Sequence, residues 1–112
     1  MMKNAQEVFE KHISAVYTLD PENVMKDYHE DAIFITPEKT YLGVSQIREF
    51  YEDLLSKMDG FKIETIKQET HNNIVYLVWQ GKNEHLNVEF CTDTYYVVDG
   101  KIKCHTFAGI IN

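Results

Sequence analysis

Apolar residues in the first sixty positions recur at the spacing of a helix. Between Ala5 and Tyr17 they follow steps of three and one, which is the stripe of an amphipathic helix. Asp20 and Pro21 supply an N-cap and a first-turn proline, and they predict a short second helix that ends near His29. A third helical stripe covers Ile47–Met58 and stops at an Asp-Gly pair.

The other apolar segments predict β-strands. Ala32–Thr36 is a compact apolar run closed by a proline, and its length and β-branched residues favour a strand. After Gly60 the pattern predicts a meander of four strands over 61–70, 73–80, 86–98 and 101–110. Asp99-Gly100 is the strongest hairpin signal in the chain. Helices first and strands afterwards predict an α+β fold rather than alternating βαβ units.

The composition is sufficient for a packed core and provides large side chains that can line a cavity. The 112 residues are 44% hydrophobic and 12% aromatic, which predicts one domain over residues 1–112. Seven tyrosines, six phenylalanines and one tryptophan supply large side chains, and the tyrosine hydroxyls need hydrogen-bond partners. This supply suits a lined pocket.

Charge narrows the range of partners. Lys and Arg number 11 against 18 Asp and Glu, and a net charge of −7 disfavours both nucleic acid and anionic membranes as partners. The first residues contain charges and no apolar block, which argues against a secretory signal. The longest uncharged apolar run, Ile74–Trp79, is too short to span a bilayer. The expected location is therefore the cytoplasm.

Cysteine and histidine spacing gives no metal motif. Cys91 and Cys104 form neither a disulfide framework nor a Cys-x-x-Cys knuckle, so they are expected to stay reduced. The five histidines lack the i, i+4 spacing that places two imidazoles on one helical face. No cofactor and no metal are expected, although a site assembled from distant strands stays open.

Asp93 is the first candidate for chemistry, because it interrupts an otherwise apolar and aromatic strand. A two-residue loop in the last hairpin sets it opposite Thr106, whereas a three-residue loop with Gly100 in a bulge sets it opposite His105. In the second register the carboxylate would orient an imidazole whose ordinary pKa of ~6.5 suits proton exchange near neutral pH. The alternative is that Asp93 lies on the outer face of the sheet.

Three segments carry a family resemblance. Tyr28–Ala32, Gly43–Tyr51 and the Asp-Gly-Lys-Ile turn at 99–102 resemble those of the nuclear-transport-factor-2-like superfamily, in its SnoaL-like and ketosteroid-isomerase-like branch. The likeness covers nearly the whole chain. It implies a cone-shaped fold, with three N-terminal helices packed on a curved, mainly antiparallel sheet around one pocket, and it favours the register that pairs Asp93 with His105. The superfamily holds enzymes, binding modules and assembly domains on one scaffold.

The resemblance also implies residue roles. Asp93 falls on the position of the protonated oxyanion-hole aspartate of steroid isomerases, and His12 on that of their oxyanion-hole tyrosine. Their general-base aspartate corresponds to Thr36, whose hydroxyl cannot abstract a proton at neutral pH, and the turn makes Glu38 an unreliable substitute. SnoaL-like cyclases are more similar, since they rely on an aspartate at the position of Asp93.

Two functional hypotheses follow. The first is a pocket protein for a small apolar carbonyl compound, acting as an acid/base isomerase or cyclase with Asp93, His105 and His12. The second is a non-catalytic ligand-binding or dimeric assembly module of the same fold. The predicted pocket wall, whose members would equally suit a plain core, comprises Tyr17, Tyr28, Phe34, Phe50, Tyr51, Leu54, Trp79, Tyr95 and Phe107.

The second face of the last two strands predicts an interface. It is too apolar and aromatic to be left in water over its whole length, so a symmetric homodimer through the sheet is expected. The residues assigned to this face are Thr92, Thr94, Tyr96, Ile102, Cys104 and Thr106.

Overall fold

A computed structural model describes residues 3–112, which form three helices and six strands. The helices are α1 (Ala5–Tyr17), α2 (Pro21–Met25) and α3 (Val44–Leu55). The strands are β1 (Tyr28–Ile35), β2 (Thr40–Leu42), β3 (Glu64–His71), β4 (Ile74–Lys82), β5 (Asn87–Val98) and β6 (Lys101–Ile111).

The six strands form one curved sheet in the order β2-β1-β6-β5-β4-β3. Only β1 and β6 run parallel, and every other neighbouring pair is antiparallel. Helix α1 packs on β4 and β5, while α3 packs on β1 and β2. The predicted α+β cone is therefore confirmed, with the core between the helices and the concave face of the sheet.

The helix termini follow the local sequence signals. Asn4 caps α1 in a capping box with Glu7, and Asp20 caps α2 ahead of Pro21. Gly43 precedes α3 with a φ of 85°, a conformation that favours glycine. Asn4 and Asp20 thereby satisfy backbone N–H groups in the first turns of α1 and α2.

The boundary between α2 and β1 differs from the prediction. Helix α2 ends at Met25, and Tyr28 already belongs to a strand, where it pairs with Ile102 of β6. The spacing of the apolar residues fits either element, and pairing with a distant strand decided between them. The short strand β2 was not predicted, and it returns along β1 after a turn closed by Thr36 and Lys39.

The last hairpin has a register that neither predicted version describes. Val98 lies opposite Lys101, as in a two-residue loop, but an extra residue in β6 then shifts the pairing by one position. Asp93 therefore lies opposite Phe107. The side chain of His105 stays on the same face, two residues along β6, and reaches Asp93 diagonally.

The convex face of the sheet exposes large apolar side chains. Ile102, which the sequence assigned to this face, is fully buried because the bulge in β6 turns it inward opposite Val97. Cys91 points into the core and Cys104 lies half-buried on β6, and both thiols are free. The exposed apolar residues of the convex face include Ile33, Ile35, Leu42, Ile74, Tyr76, Phe90, Tyr96 and Ile110.

Within residues 3–112, no helix combines the length and the apolar character needed to cross a membrane. Over the same residues, no cluster of three or more His, Cys, Asp or Glu side chains is arranged to hold a metal ion.

Candidate functional site

The Asp93 carboxyl group lies inside the cone, where only 5% of the residue is exposed. Its Oδ2 accepts a hydrogen bond from the indole N–H of Trp79 at 2.6 Å. Its Oδ1 lies 2.7 Å from Nε2 of His105. The Cys91 thiol is a longer contact, 3.8 Å from Oδ2. Both carboxyl oxygens therefore have hydrogen-bond partners, as a buried polar group requires.

The His105 imidazole is held between two aromatic rings. Its ring centroid lies 4.1 Å from that of Tyr95 and 4.4 Å from that of Phe34, and the residue is 1% exposed. Its Nδ1 lies 2.8 Å from the hydroxyl of Tyr28. Burial lowers the pKa of His105 because it disfavours the imidazolium, although the hydrogen bond with Asp93 acts in the opposite direction. Stacking and two hydrogen bonds thus fix the ring plane.

A chain of buried polar groups continues behind His105. The hydroxyls of Tyr28 and Tyr51 lie 2.8 Å apart, and the Tyr51 hydroxyl lies 3.4 Å from Nε2 of His12. On its other side, Nδ1 of His12 lies 3.3 Å from Oδ2 of Asp27. Lys11 donates to Oδ1 of Asp27 at 2.5 Å, and 43% of its side chain is exposed. The chain therefore connects the interior with the surface of α1.

Burial shapes the electrostatics of this chain. It raises the pKa of the Tyr28 and Tyr51 hydroxyls far above their usual range, so both are neutral at any physiological pH. Burial also tends to raise the pKa of Asp27, but the hydrogen bonds from His12 and Lys11 outweigh this effect, so the pKa of Asp27 is lowered. Asp27 is therefore a fixed negative charge beside the His12 ring.

Asp93 and His105 face a cavity of about 50 Å³ between the helices and the sheet. His12 lines it too, and Asp93 is the only carboxyl group among the lining residues that the structure describes. The open side is formed by half-exposed apolar residues from α3, from β6 and from the segment before β3. The predicted wall residues that line this cavity are Phe34, Phe50, Tyr51, Leu54, Trp79, Tyr95 and Phe107.

Two predicted wall residues lie elsewhere. Tyr17 is 45% exposed at the end of α1, outside the cavity, and its hydroxyl accepts a hydrogen bond from the backbone N–H of Ile63 at 2.7 Å. It is the last residue of α1, and its ring lies beyond the cavity. Tyr28 is buried, but it lies behind His105 in the polar chain rather than on the cavity surface.

The position that the resemblance aligns with a general base has a structural role. The Thr36 hydroxyl donates to the backbone carbonyl of Lys39 at 2.8 Å and accepts from its N–H at 3.0 Å, which closes the turn after β1. Glu38 lies exposed in the same turn. Neither residue lines the cavity.

Sequence reasoning missed Asp27 altogether. A lone aspartate between Lys26 and Tyr28 looks like a solvated residue after a short helix, and its burial depends on His12, fifteen positions away. It also missed that the Trp79 indole is a donor to Asp93 rather than plain wall. The requirement that a buried Trp N–H find an acceptor is the one signal that could have suggested the second contact.

Comparisons with known proteins agree with this architecture. A family model described as a SnoaL-like domain matches residues 9–105. No curated protein sequence matches the chain. An NTF2-like protein of unknown function from Cytophaga hutchinsonii superposes with a TM-score of 0.80 at 16% identity, over 98% of this chain and 92% of that one.

Two further solved structures have names that mention an activity. A proposed isomerase of the SnoaL-like family from Agrobacterium tumefaciens gives a TM-score of 0.74 at 16% identity, over 95% of this chain and 97% of that one. A proposed polyketide cyclase from Sinorhizobium meliloti gives 0.72 at 14% identity, over 90% and 93%. At such identities the similarity shows a shared fold.

Proposed function

The chain belongs to the SnoaL-like family, and on that premise we propose that it is an acid/base isomerase or cyclase for a small, largely apolar carbonyl compound. The observation that carries the proposal is the buried Asp93–His105 pair, 2.7 Å apart, beside an aromatic cavity. The solved structures of similar fold named as an isomerase and as a polyketide cyclase favour the same reaction class.

The proposed chemistry moves a proton next to a carbonyl group. Asp93 takes a proton from the α-carbon of the substrate, and the electron pair of the broken C–H bond moves toward the carbonyl oxygen to form an enolate. In an isomerase the proton returns to a different carbon, whereas in a cyclase the enolate carbon attacks a second carbonyl carbon and the new alkoxide takes the proton. His105 holds the carboxyl group in position through its ring N–H. Protons alone are exchanged, so the proposal requires no cofactor.

The size of the cavity limits the substrate. About 50 Å³ is well below the roughly 150 Å³ of a cavity that binds benzene. A ring-sized substrate therefore has to displace side chains at the open side, where Phe50, Leu54 and Phe107 are half-exposed. The apolar lining favours a substrate with a carbonyl group as its main polar feature.

Deuterium uptake tests the proposal without knowledge of the product. Small cyclic and aryl ketones, including 2-indanone, are incubated with the protein in D₂O, and exchange at the α-carbon is followed by mass spectrometry. We expect the protein to accelerate exchange of at least one ketone and Asp93→Asn to lose about 10²–10⁴-fold of that rate with little change in ketone affinity. Asp31→Asn, an exposed aspartate paired with Lys103, is the matched control and keeps the rate. Exchange by Asp93→Asn at the wild-type rate would refute the role of Asp93.

A non-catalytic binding or assembly module is the second candidate. Two observations favour it: the cavity is small, and the hydroxyl of Thr36 is engaged in a turn instead of facing a ligand. Under this alternative no ketone of the panel exchanges faster than in buffer, and Asp93→Asn changes only affinity or stability. Native mass spectrometry of the purified protein would then look for a small molecule that co-purifies with it.

We also propose that two copies pair through the convex face of the sheet. The outward side chains in the central part of β5 and β6 are uncharged, so two chains of net charge −7 can approach there without opposing carboxylates; they are Thr92, Thr94, Tyr96, Cys104, Thr106 and Ala108. Tyr96 is 44% exposed near the middle of this face. Light scattering should give a dimer for the wild type and a monomer for Tyr96→Lys, while Ile66→Lys on the edge strand β3 stays dimeric. A monomeric wild type would overturn the proposal.

A further inference from the structure

Four successive hydrogen bonds join the carboxyl group of Asp93 to the imidazole of His12. Asp93 Oδ1 lies 2.7 Å from Nε2 of His105, and His105 Nδ1 lies 2.8 Å from the hydroxyl of Tyr28. The Tyr28 hydroxyl lies 2.8 Å from that of Tyr51, which lies 3.4 Å from Nε2 of His12. All five side chains are buried. The five groups therefore have little contact with bulk solvent.

The number of hydrogens restricts how these bonds can point. Each tyrosine has one O–H and each neutral imidazole has one N–H. If Asp93 is ionised, His105 donates to it, Tyr28 donates to His105, Tyr51 donates to Tyr28, and His12 donates to Tyr51. If Asp93 carries the proton, every one of these bonds points the other way. The four bonds therefore reverse together.

We propose that Asp93 and His12 share one proton along this chain, so that His12 is the proton store of the site. In the transfer toward His12, the Asp93 proton moves to Nε2 of His105 and the proton on His105 Nδ1 moves to the Tyr28 oxygen. The original Tyr28 proton then moves to the Tyr51 oxygen, and that of Tyr51 moves to Nε2 of His12. Each intermediate group gains one proton and loses one, so only the two ends change their charge.

Each end of the hydrogen-bond chain has a neighbouring group that stabilises its charged form. When the proton is on His12, the imidazolium faces the Asp27 carboxylate across 3.3 Å, and the Asp93 carboxylate keeps the 2.6 Å hydrogen bond from Trp79. Because each charge then has its own partner, the resting protein holds the proton on His12. Lys11, half-exposed beside Asp27, marks where the chain meets solvent.

The tyrosines suit the role of carriers. Burial keeps the pKa of Tyr28 and Tyr51 far above the usual range, so neither holds a negative charge, and each passes a proton on only while accepting another. For catalysis the inference rests on the proposed function: with the shared proton stored on His12, Asp93 is ionised and ready to take a proton from the substrate.

The relay can be tested by NMR without any substrate. In protein with ¹⁵N-labelled histidine, long-range ¹H–¹⁵N correlations at one fixed pH report which ring nitrogens carry protons. We expect a doubly protonated His12 and a proton on Nε2 of His105. Asp27→Asn removes the partner of the imidazolium, so the proton returns to Asp93 and His105 switches to the Nδ1–H form, although residue 27 does not touch His105.

Breaking the hydrogen-bond chain with a tyrosine substitution distinguishes proton transfer along it from a through-space electrostatic effect. In a Tyr51→Phe background, Asp27→Asn should leave the His105 tautomer unchanged, and Tyr28→Phe provides a second cut should the first variant fold poorly. Tyr95→Phe is the matched control: it removes a hydroxyl from a ring stacked on His105 but outside the chain, and the switch should persist. An unresponsive His105 in Asp27→Asn, or the same switch with the chain cut, would overturn the relay. Failure of the ketone exchange assay would overturn the proposed function and leave this result standing.

Discussion

Removal of the Asp93 side chain would leave two buried N–H donors without an acceptor. In Asp93→Ala both the Trp79 indole and the His105 imidazole lose their partner. Each buried donor left unpaired costs about 1–3 kcal/mol, so the two together cost about 2–6 kcal/mol. Since domains of this size are stable by only about 5–15 kcal/mol, the variant should lose a large part of its stability.

Asp93→Asn should behave differently, because the amide can still serve both neighbours. Its oxygen accepts from Trp79, and its N–H₂ donates to Nε2 of His105 once that ring carries its proton on Nδ1. We expect a loss of only about 1 kcal/mol. The Asn variant therefore separates the chemistry of the carboxyl group from its structural role.

The assay is urea unfolding followed by the fluorescence of Trp79, the only tryptophan and a direct contact of Asp93. Thr92→Ala, the neighbouring residue on the convex side of β5, is the control and should stay within about 0.5 kcal/mol of the wild type. If the free energy of unfolding of Asp93→Ala lies within about 1 kcal/mol of the wild-type value, the reasoning fails, because two unpaired buried donors should cost more than that.

Three further predictions concern other parts of the interior. Burial lowers the pKa of His105 in the folded protein, although the hydrogen bond with Asp93 opposes this effect. As the pH falls below about 6.5, the unfolded chain therefore binds a proton before the folded protein does, and the free energy of unfolding should drop by up to about 1.4 kcal/mol per pH unit. Urea titrations at several pH values should show a smaller pH dependence for His105→Gln. Burial also raises the pKa of the Cys91 thiol, so iodoacetamide should label it only after unfolding, and rapid labelling of the folded protein, read by peptide mass spectrometry, would contradict the structure. A Cβ at Gly109 would lie 2.6 Å from a carbonyl oxygen of β5, so Gly109→Ala should lower the thermal midpoint in circular dichroism by the equivalent of about 1–3 kcal/mol, and an unchanged midpoint would show that the strands can separate there.

Local signals in the sequence were enough to predict most of the secondary structure. The apolar stripe of α1 predicted a helix over Ala5–Tyr17, which the structure contains with the same bounds. The Asp99-Gly100 turn and the flanking apolar residues predicted the β5–β6 hairpin. Such features depend on residues a few positions apart, so a single sequence contains the information that predicts them. The α+β class and the family followed from the same elements.

The sequence also selected Asp93 and His105 as partners, and the structure brings them together at 2.7 Å, though by another register than the one expected. The reason is the bulge in β6. Its position depends on how β6 packs between β5 and the parallel strand β1, and no local turn signal reports that packing.

Only the tertiary structure decided the polar chain behind the pair. The Tyr28–His105 hydrogen bond spans 77 positions of sequence, and the Tyr51–His12 contact spans 39. Whether a tyrosine on an apolar stripe is wall, core or hydrogen-bond carrier depends on which groups from distant elements face its hydroxyl. Asp27 is the clearest case: a residue that looks solvated in sequence is buried because His12 and Lys11 of α1 supply the partners that its charge requires.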